Sequence, residues 1–417
     1  MKKLTNCRNC KENNFKKIFS LGELSYSGKF SKNNKINIAK EYLTLVMCKS
    51  CTLIQLDRNF NPKYMYASDY GYRSGINQTM KDHLKLLAGN LSKRVNLKKN
   101  DAILDIASND ATLLNSYSMQ NLIKVGVDPI LNKFKKEYVK IDYKINNFFN
   151  YSLIKKLNIK NNFKIITAIS MFYDLPDPNK FLNDIEKILD KKNGIFLLEQ
   201  VDLYSIIKYN LFDTICHEHL EYYSFKVIEE MLNNNNLKII DVERNLTNGG
   251  SIRFYISSKE SIYKKNLKRI NKIKMQEKLL RLDRAITYKK FFKRVINIKM
   301  NLLKIIKNIK KKNYKICGYG ASTKGNILLQ FFGIDGLFLD HIADRNPLKN
   351  NFYTPGTKIK IIEEKKSRSL NPDYYLVLPW HFKKEILKRE KKLIKSGTKF
   401  IFPLPKIEII NKKNVQN

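Results

Sequence analysis

Two Cys-x-x-Cys pairs near the start of the chain constrain its fold more than any other feature. Cys7 and Cys10 form one pair and Cys48 and Cys51 the other, with 37 residues between the pairs. This spacing predicts a tetrahedral four-thiolate zinc site. Four sulfur ligands leave no open position, so we expect a structural zinc ion that lets residues 1–62 fold as a small domain. Two disulfides or chance pairs are the alternatives.

The amino-acid composition argues against a nucleic-acid-binding protein and against a membrane protein. The 417 residues carry a net charge of +41, but lysine, asparagine and isoleucine are abundant throughout, with no confined basic arm. Nucleic-acid binding is therefore not the favoured role. No apolar run reaches the roughly 18 residues that a membrane helix requires, and the charged start of the chain does not resemble a signal peptide. We expect a cytoplasmic protein without a membrane partner, of unpredicted oligomeric state.

A tyrosine-rich segment links the predicted zinc domain to the rest. Tyr64, Tyr66, Tyr70 and Tyr72 lie within nine residues, followed by a helical pattern over about 76–91. We treat 63–95 as a linker and helix. Tyr72 and Ser74 are candidates for substrate contact, and aromatic packing beneath the zinc site is the alternative interpretation.

An α/β pattern over 96–258 predicts a nucleotide-binding domain. A strand over 102–107 and a small polar turn lead through a helix to a second strand, which ends at Asp128, 23 positions after Asp105. An acid at this place can accept hydrogen bonds from both ribose hydroxyls. Ala107 and Ala111 stand where such turns usually have glycine, leaving little room for a pyrophosphate. This favours S-adenosylmethionine over NAD, and a structural unit without ligand is the alternative.

Polar segments follow two further predicted strands of this domain. Residues 170–178 come after a strand over 163–169, and residues 212–223 follow a strand that ends at Glu199. Both can reach the carboxyl edge of the sheet, where ligands of open parallel sheets bind. The second segment holds Cys216, His217, Glu218 and His219, which can exchange protons near neutral pH. A surface loop, histidines bonded to core polar groups or a metal site are alternatives.

The rest of the chain predicts a second α/β unit. Residues 259–312 form a lysine-rich helical connection, and 313–417 begin with a strand, a Gly-x-Gly turn and a helix. Lys324 and the backbone amides of this turn can bind a phosphate group. Asn326, Asp344 and Arg345 are further substrate-binding candidates. A purely structural turn is the alternative.

Several short motifs in a fixed order give the chain a specific resemblance. It resembles the sugar C-methyltransferase family, three-domain S-adenosylmethionine enzymes that methylate a ring carbon of a nucleotide-linked keto-deoxysugar. Besides the cysteine pairs, the motifs are LDIASNDATLL, GVDP, SMFYDLPDP, FDTICHEHLEYYSF, GGSIRFY, GYGASTKGN, DRNP, PGT and LPWHF. The resemblance implies an N-terminal zinc-binding domain, a central class I methyltransferase domain and a C-terminal Rossmann-like domain.

The resemblance also implies roles for individual residues. Asp105, Asn109 and Asp128 belong to the cofactor site, which Ser170 and Met171 line. Ala107 replaces a usual glycine of the turn but is small enough for binding.

The loop histidine matching His219 is the favoured general base, with Glu218 beside it. His217 and Tyr72 are expected as polar neighbours of the sugar. Some members have tyrosine in place of Cys216. Carbon methylation needs a carbanion, and a keto group makes the neighbouring proton acidic enough for a histidine to remove while nearby donors stabilise the enolate oxygen.

Two other functions fit parts of the pattern. An RNA-modifying methyltransferase would use the basic surface and the zinc domain, and a non-catalytic binding protein would use the same folds without turnover. The sequence does not predict the sugar, the methylated carbon or the nucleotide base, nor whether a non-sugar keto substrate is used.

Overall fold

Three β-sheets organise the chain. The computed structural model describes residues 3–66, 71–160 and 162–415, so Tyr70 of the tyrosine-rich segment lies outside the described residues. The strands are β1 Phe15–Ser25, β2 Lys40–Cys48, β3 Ile54–Leu56, β4 Ala102–Ile106, β5 Ile123–Val127, β6 Tyr143–Ile145, β7 Ile165–Ile169, β8 Ile195–Val201, β9 Glu221–Tyr222, β10 Leu237–Asn245, β11 Ser251–Ser258, β12 Ile316–Tyr319, β13 Ile342–Asp344, β14 Ile361–Glu363, β15 Tyr374–Val377, β16 Lys399–Phe402 and β17 Glu408–Ile410.

Helices connect and cover these strands. They are α1 Pro62–Met65, α2 Gln78–Arg94, α3 Thr112–Asn115, α4 Tyr151–Lys155, α5 Pro178–Ile188, α6 Leu203–Tyr209, α7 Phe225–Asn234, α8 Leu267–Leu280, α9 Ala285–Lys311, α10 Thr323–Phe332, α11 Glu364–Ser369, α12 Lys383–Arg389 and α13 Lys391–Lys395. Among the described residues, no helix combines the length and apolarity needed to cross a bilayer.

The N-terminal sheet is antiparallel and has the order β1-β2-β3-β9. Its last strand comes from the His-Glu-His segment, because Ile54 pairs with Tyr222 and Gln55 with Glu221. The sheet packs against α9, where Phe19 stacks on Phe292 with ring centroids 4.6 Å apart. The segment predicted to carry the catalytic base is therefore hydrogen-bonded to the cysteine-bearing domain.

The central sheet has the order β10-β11-β8-β7-β4-β5-β6. Strands β4 to β8 run parallel, and β11 lies antiparallel between β8 and β10. The residues of β8 are all buried, as expected for a parallel strand covered on both faces. This Rossmann-like arrangement and its late antiparallel hairpin confirm the predicted fold class.

The C-terminal sheet has the order β14-β13-β12-β15-β16-β17, with β17 antiparallel to β16 and the other neighbours parallel. The long helix α9 leads into it, with buried residues from Tyr288 to Ile309 at helical spacing. The lysines between them face outward, as in an amphipathic helix. Polar segments after the strands of the central and C-terminal sheets line one shared cavity.

Candidate active site

The four predicted metal ligands come together. The Sγ atoms of Cys7, Cys10, Cys48 and Cys51 all lie within 4.8 Å of one another, and the four thiols are free. Tetrahedral zinc with Zn–S bonds of about 2.3 Å places its sulfurs about 3.8 Å apart. The Cys7–Cys51 and Cys10–Cys48 sulfur distances are 3.6 and 3.4 Å. The cluster fits zinc, and these two sulfur distances are well beyond the roughly 2.05 Å of a disulfide bond.

Arg8, inside the first cysteine pair, connects the metal cluster to the segment that carries His219. Its side chain is 2% exposed. It donates hydrogen bonds to the carbonyl oxygens of Leu56 (3.0 Å), Arg58 (2.7 Å) and Leu220 (3.4 Å). Its Nε atom lies 3.4 Å from Oε1 of the fully buried Glu221. The metal-binding turn thus holds the residues directly after His219.

A cavity of about 630 Å³ lies between the central and C-terminal sheets. Its wall includes most of the residues predicted for cofactor and substrate. Those at the cavity are Tyr72, Ser74, Asp105, Ala107, Asn109, Asp128, Ser170, Met171, Cys216, Glu218, His219, Lys324, Asp344 and Arg345.

Two buried carboxyl groups lie beside the predicted cofactor turn, Asp105 in β4 and Asp128 directly after β5. Asp128 accepts hydrogen bonds from the backbone N–H groups of Asn109 and Ile130, both at 2.8 Å. Each of its oxygens has a lone pair left for a ribose hydroxyl. Asp105 accepts a hydrogen bond from the Thr167 hydroxyl at 2.6 Å, and burial raises the pKa of Asp105 to about 7.

The turn has a conformation that glycine usually supplies. Ala107, Asn109 and Ala111 have φ values of 58°, 50° and 57°. A left-handed alanine costs roughly 1–2 kcal/mol, so the surrounding packing must hold this shape. Ser170, at the end of β7, is also left-handed with φ 54°. The amide of Asn109 accepts a hydrogen bond from the Ser74 N–H at 2.9 Å and donates to the Tyr72 carbonyl at 3.3 Å.

His219 is arranged as a neutral base. Its Nδ1 lies 2.6 Å from the carbonyl oxygen of Thr214. Because a carbonyl can only accept, Nδ1 carries the proton and Nε2 keeps its lone pair. Burial and the positive charge of Lys324 lower the pKa of His219 to about 3. The ring packs against Tyr173 with centroids 4.1 Å apart.

Glu218 and His217 face different surroundings. Glu218 reaches the cavity wall near Ser27, whose hydroxyl is 3.4 Å from Oε2, and burial raises the pKa of Glu218. The structure does not place His217 at the cavity. It is fully buried against Tyr26 and Phe60 in the N-terminal domain. Cys216, Glu218 and His219 line the cavity, whereas packing against these two rings holds His217 away from the place beside the sugar that was predicted for it.

Three of the four predicted substrate residues of the C-terminal unit lie at the cavity, and each of the three already has a polar partner within the protein. The Lys324 ammonium donates to the Asn248 carbonyl at 3.0 Å, and Arg345 pairs with Glu385 at 3.1 Å. Asp344 is occupied by the N–H groups of the neighbouring turn, including that of Ala321 at 2.6 Å.

Asn326 does not lie at the cavity. It is fully buried and donates to the Ser27 carbonyl at 2.7 Å. This hydrogen bond joins α10 to the N-terminal domain, so the structure does not bring Asn326 together with the other predicted substrate residues. Cys216 does line the cavity, and burial raises the pKa of this thiol well above its ordinary value, so it stays protonated.

Sequence reasoning missed several cavity residues. Lys349, His381 and Asp174 lie in the wall. Lys349 donates to the Ala321 carbonyl at 2.6 Å beside the Gly-x-Gly turn. The motifs DRNP, LPWHF and SMFYDLPDP adjoin or contain these residues, so their place in the motif order was the available signal.

Comparisons with known proteins agree with this architecture. Residues 7–66 match a family model described as a zinc binding domain, 72–242 a methyltransferase domain, and 246–405 a C-methyltransferase C-terminal domain. The chain is 24% identical over 408 residues to C-methyltransferase NovU from Streptomyces niveus, covering 97% of this chain and 96% of that protein.

Two solved structures resemble part of the chain. An S-adenosylmethionine-dependent methyltransferase from Clostridium acetobutylicum matches 43% of this chain and 92% of its own, with 15% identity and a TM-score of 0.34. The PH0226 protein from Pyrococcus horikoshii matches 48% of this chain and 100% of its own, with 14% identity and a TM-score of 0.36.

Proposed function

Because the chain is an S-adenosylmethionine-dependent C-methyltransferase, we propose that it methylates a ring carbon of a nucleotide-linked keto-deoxysugar through an enolate. The observation that carries this proposal is the shared cavity. Carboxyl groups suited to a ribose line its central-domain side, cations suited to a diphosphate line its C-terminal side, and a neutral histidine lies in the same wall.

The cofactor side fits an adenosine ligand. Asp128 is 5% exposed and has lone pairs free for two ribose hydroxyls, while Asp105, Asn109, Ser170 and Met171 line the same cavity. S-adenosylmethionine, when bound there, supplies an electrophilic methyl group to a carbon nucleophile. The residues of the chain must generate and orient that nucleophile.

The substrate side fits an anionic ligand. Lys324, Lys349 and Arg345 line it near the Gly-x-Gly turn. Burial lowers the pKa values of Lys324 and Lys349, and an anionic partner would stabilise their charged forms. A sugar bound through its diphosphate would then extend toward His219.

His219 accepts the proton in this proposal. Its Nε2 removes the proton beside the keto group, and the electron pair of that C–H bond moves onto the carbonyl oxygen. The bond from Nδ1–H to the Thr214 carbonyl strengthens as the ring becomes positively charged. Lys324 opposes that charge in the free protein. A bound diphosphate neutralises Lys324, so the histidine becomes a stronger base when the substrate is present.

The test joins two assays. The protein is incubated with methyl-labelled S-adenosylmethionine and a panel of nucleotide-linked keto-deoxysugars, and proton loss from the sugar into deuterated water is followed separately without the methyl donor. His219→Asn should lower both rates by about 10²–10⁴-fold and leave both ligand affinities largely unchanged.

His217→Gln is the matched control. Because this ring lies outside the cavity wall, the folded variant should keep turnover close to that of the wild type. Transfer to RNA with no transfer to any sugar nucleotide would overturn the substrate assignment. Wild-type rates in His219→Asn would overturn the assignment of the base.

A further inference from the structure

A carboxyl group in the cavity wall has no part in the steps above. Asp174 ends the 3-10 helix Phe172–Asp174, which follows β7. Its Oδ2 accepts a hydrogen bond from the Tyr66 hydroxyl at 2.6 Å. Its Oδ1 is buried and, within residues 3–66, 71–160 and 162–415, has no hydrogen-bond partner. A buried polar atom without a partner is unfavourable, which points to a ligand group as its partner.

The surroundings of Asp174 favour the neutral acid. Burial raises the pKa of Asp174 well above its ordinary value and outweighs the hydrogen bond from the Tyr66 hydroxyl, which lowers it, while the neighbouring carboxyl groups of Glu218 and Glu221 raise it further. The Tyr66 hydroxyl occupies one oxygen as a donor. The acid proton therefore belongs on the other oxygen, where it can be donated to a ligand.

Asp174 and the base are held on one wall. The preceding residue, Tyr173, contacts the His219 ring at 4.1 Å between centroids. Its carbonyl oxygen accepts a hydrogen bond from the Leu220 N–H at 2.7 Å. The residues before Asp174 and after His219 are thus joined by a backbone hydrogen bond, which holds the two backbone segments side by side at the cavity.

We propose that Asp174 donates a hydrogen bond to the carbonyl oxygen of the substrate and stabilises the enolate. This inference rests on the proposed enolate chemistry. The proton of the C–H bond goes to Nε2 of His219, the electron pair goes to the carbonyl oxygen, and the acid proton stays on Asp174. A preorganised donor of this kind contributes most when its acceptor becomes negatively charged.

Two substitutions separate a donor from a second base. Asp174→Ala removes the donor and should lower both proton exchange and methyl transfer by about 10²–10³-fold. Asp174→Asn keeps the shape, accepts from Tyr66 and offers an amide N–H to the substrate. Since a weaker donor remains, this variant should stay within about tenfold of the wild type.

Asp190→Asn is the matched control. Asp190 pairs with Lys164 at the opposite edge of the same sheet, and its replacement should leave turnover unchanged. S-adenosylmethionine affinity by calorimetry establishes that each variant is folded. Infrared spectroscopy of the free protein should show a protonated-carboxyl band that is lost in Asp174→Asn.

The outcomes are distinct. A slow Asp174→Ala with an active Asp174→Asn supports the donor. Wild-type rates in Asp174→Ala overturn it, equal losses in both variants overturn it in favour of a carboxylate base, and a missing infrared band overturns the neutral acid. If the wild type acts on no keto-sugar nucleotide, the proposed function fails instead, while the infrared band still reports on the acid.

Discussion

Replacing Arg8 by methionine should destabilise the N-terminal domain far more than an ordinary loss of an ion pair. Methionine has a similar length but no charge and no donor. It leaves Glu221, whose side chain has no exposed surface, without its cation 3.4 Å away. Removing one partner of a buried ion pair costs about 3–5 kcal/mol, and uptake of a proton by Glu221, whose pKa burial already raises well above its ordinary value, sets the lower end of that range. Carbonyl groups at Leu56 and Arg58 also lose a donor.

Two further variants test whether the stability loss in Arg8→Met comes from the unpaired Glu221. The double variant Arg8→Met, Glu221→Leu removes both members of the pair. We therefore expect it to regain the stability that Arg8→Met loses through the unpaired Glu221, and to remain only about 1–3 kcal/mol less stable than the wild type because the carbonyl groups still lack their donor. Arg58→Met is the matched control in the same domain. It pairs with Glu41 at 3.0 Å and with Asp57 at 3.4 Å, but the three side chains are 26%, 20% and 14% exposed, so the loss of Arg58 should cost about 1 kcal/mol or less.

Hydrogen exchange followed by mass spectrometry measures the loss of stability in the N-terminal domain itself. It gives a free energy of opening for each of the peptides that cover β2, β3 and β9. Arg8→Met should lower protection in all of them together, since Arg8 contacts both β3 and the residue before β9. A loss no larger than that of Arg58→Met would refute the reasoning. So would a double variant less stable than the single one.

Three further predictions concern the zinc content, the affinity for S-adenosylmethionine and the pH dependence of stability. Purified protein should contain one zinc ion per chain, and Cys48→Ser should lower both metal content and thermal stability, which metal analysis and calorimetry check. Asp128→Ala should weaken S-adenosylmethionine binding by about 1–3 kcal/mol, because ribose hydroxyls lose their acceptor; equal affinity in titration calorimetry contradicts the placement. Burial lowers the pKa of His217 to about 4, so between about pH 6.5 and 4 the unfolded state binds a proton that the folded state does not. Stability of the wild type relative to His217→Gln should therefore fall by about 3 kcal/mol as the pH decreases over this range, measured by urea unfolding at each pH.

Local patterns predicted the parts of the fold that depend on nearby residues. The cysteine spacing predicted a shared metal site, and Asp128 at the end of a strand predicted a carboxyl group beside the turn. Each rests on a short stretch whose geometry is set by its own backbone. The Gly-x-Gly turn between a strand and a helix likewise predicted the C-terminal unit, and it brought Lys324 and Arg345 forward as substrate-binding candidates, both of which line the cavity.

Contacts between distant segments could not be predicted in this way. His217 and His219 are two residues apart, and the sequence does not show which ring enters the cavity. That choice depends on the packing of Tyr26 and Phe60, which stand far away in the chain. Asn326 was assigned by its place in a motif, although its partner is the Ser27 carbonyl. A two-residue strand such as β9 has too little pattern to be recognised.

The short strand β9 limits how this architecture can be recombined. A chimera that takes its N-terminal domain from one relative and the remainder from another would divide the Ile54–Tyr222 and Gln55–Glu221 pairs between two parents. The unit that can be exchanged between relatives is therefore not a continuous stretch of sequence. It consists of residues 7–66 together with the segment 216–223. Swapping that block whole should preserve an active loop, whereas a single crossover after residue 66 should give a folded but misaligned one.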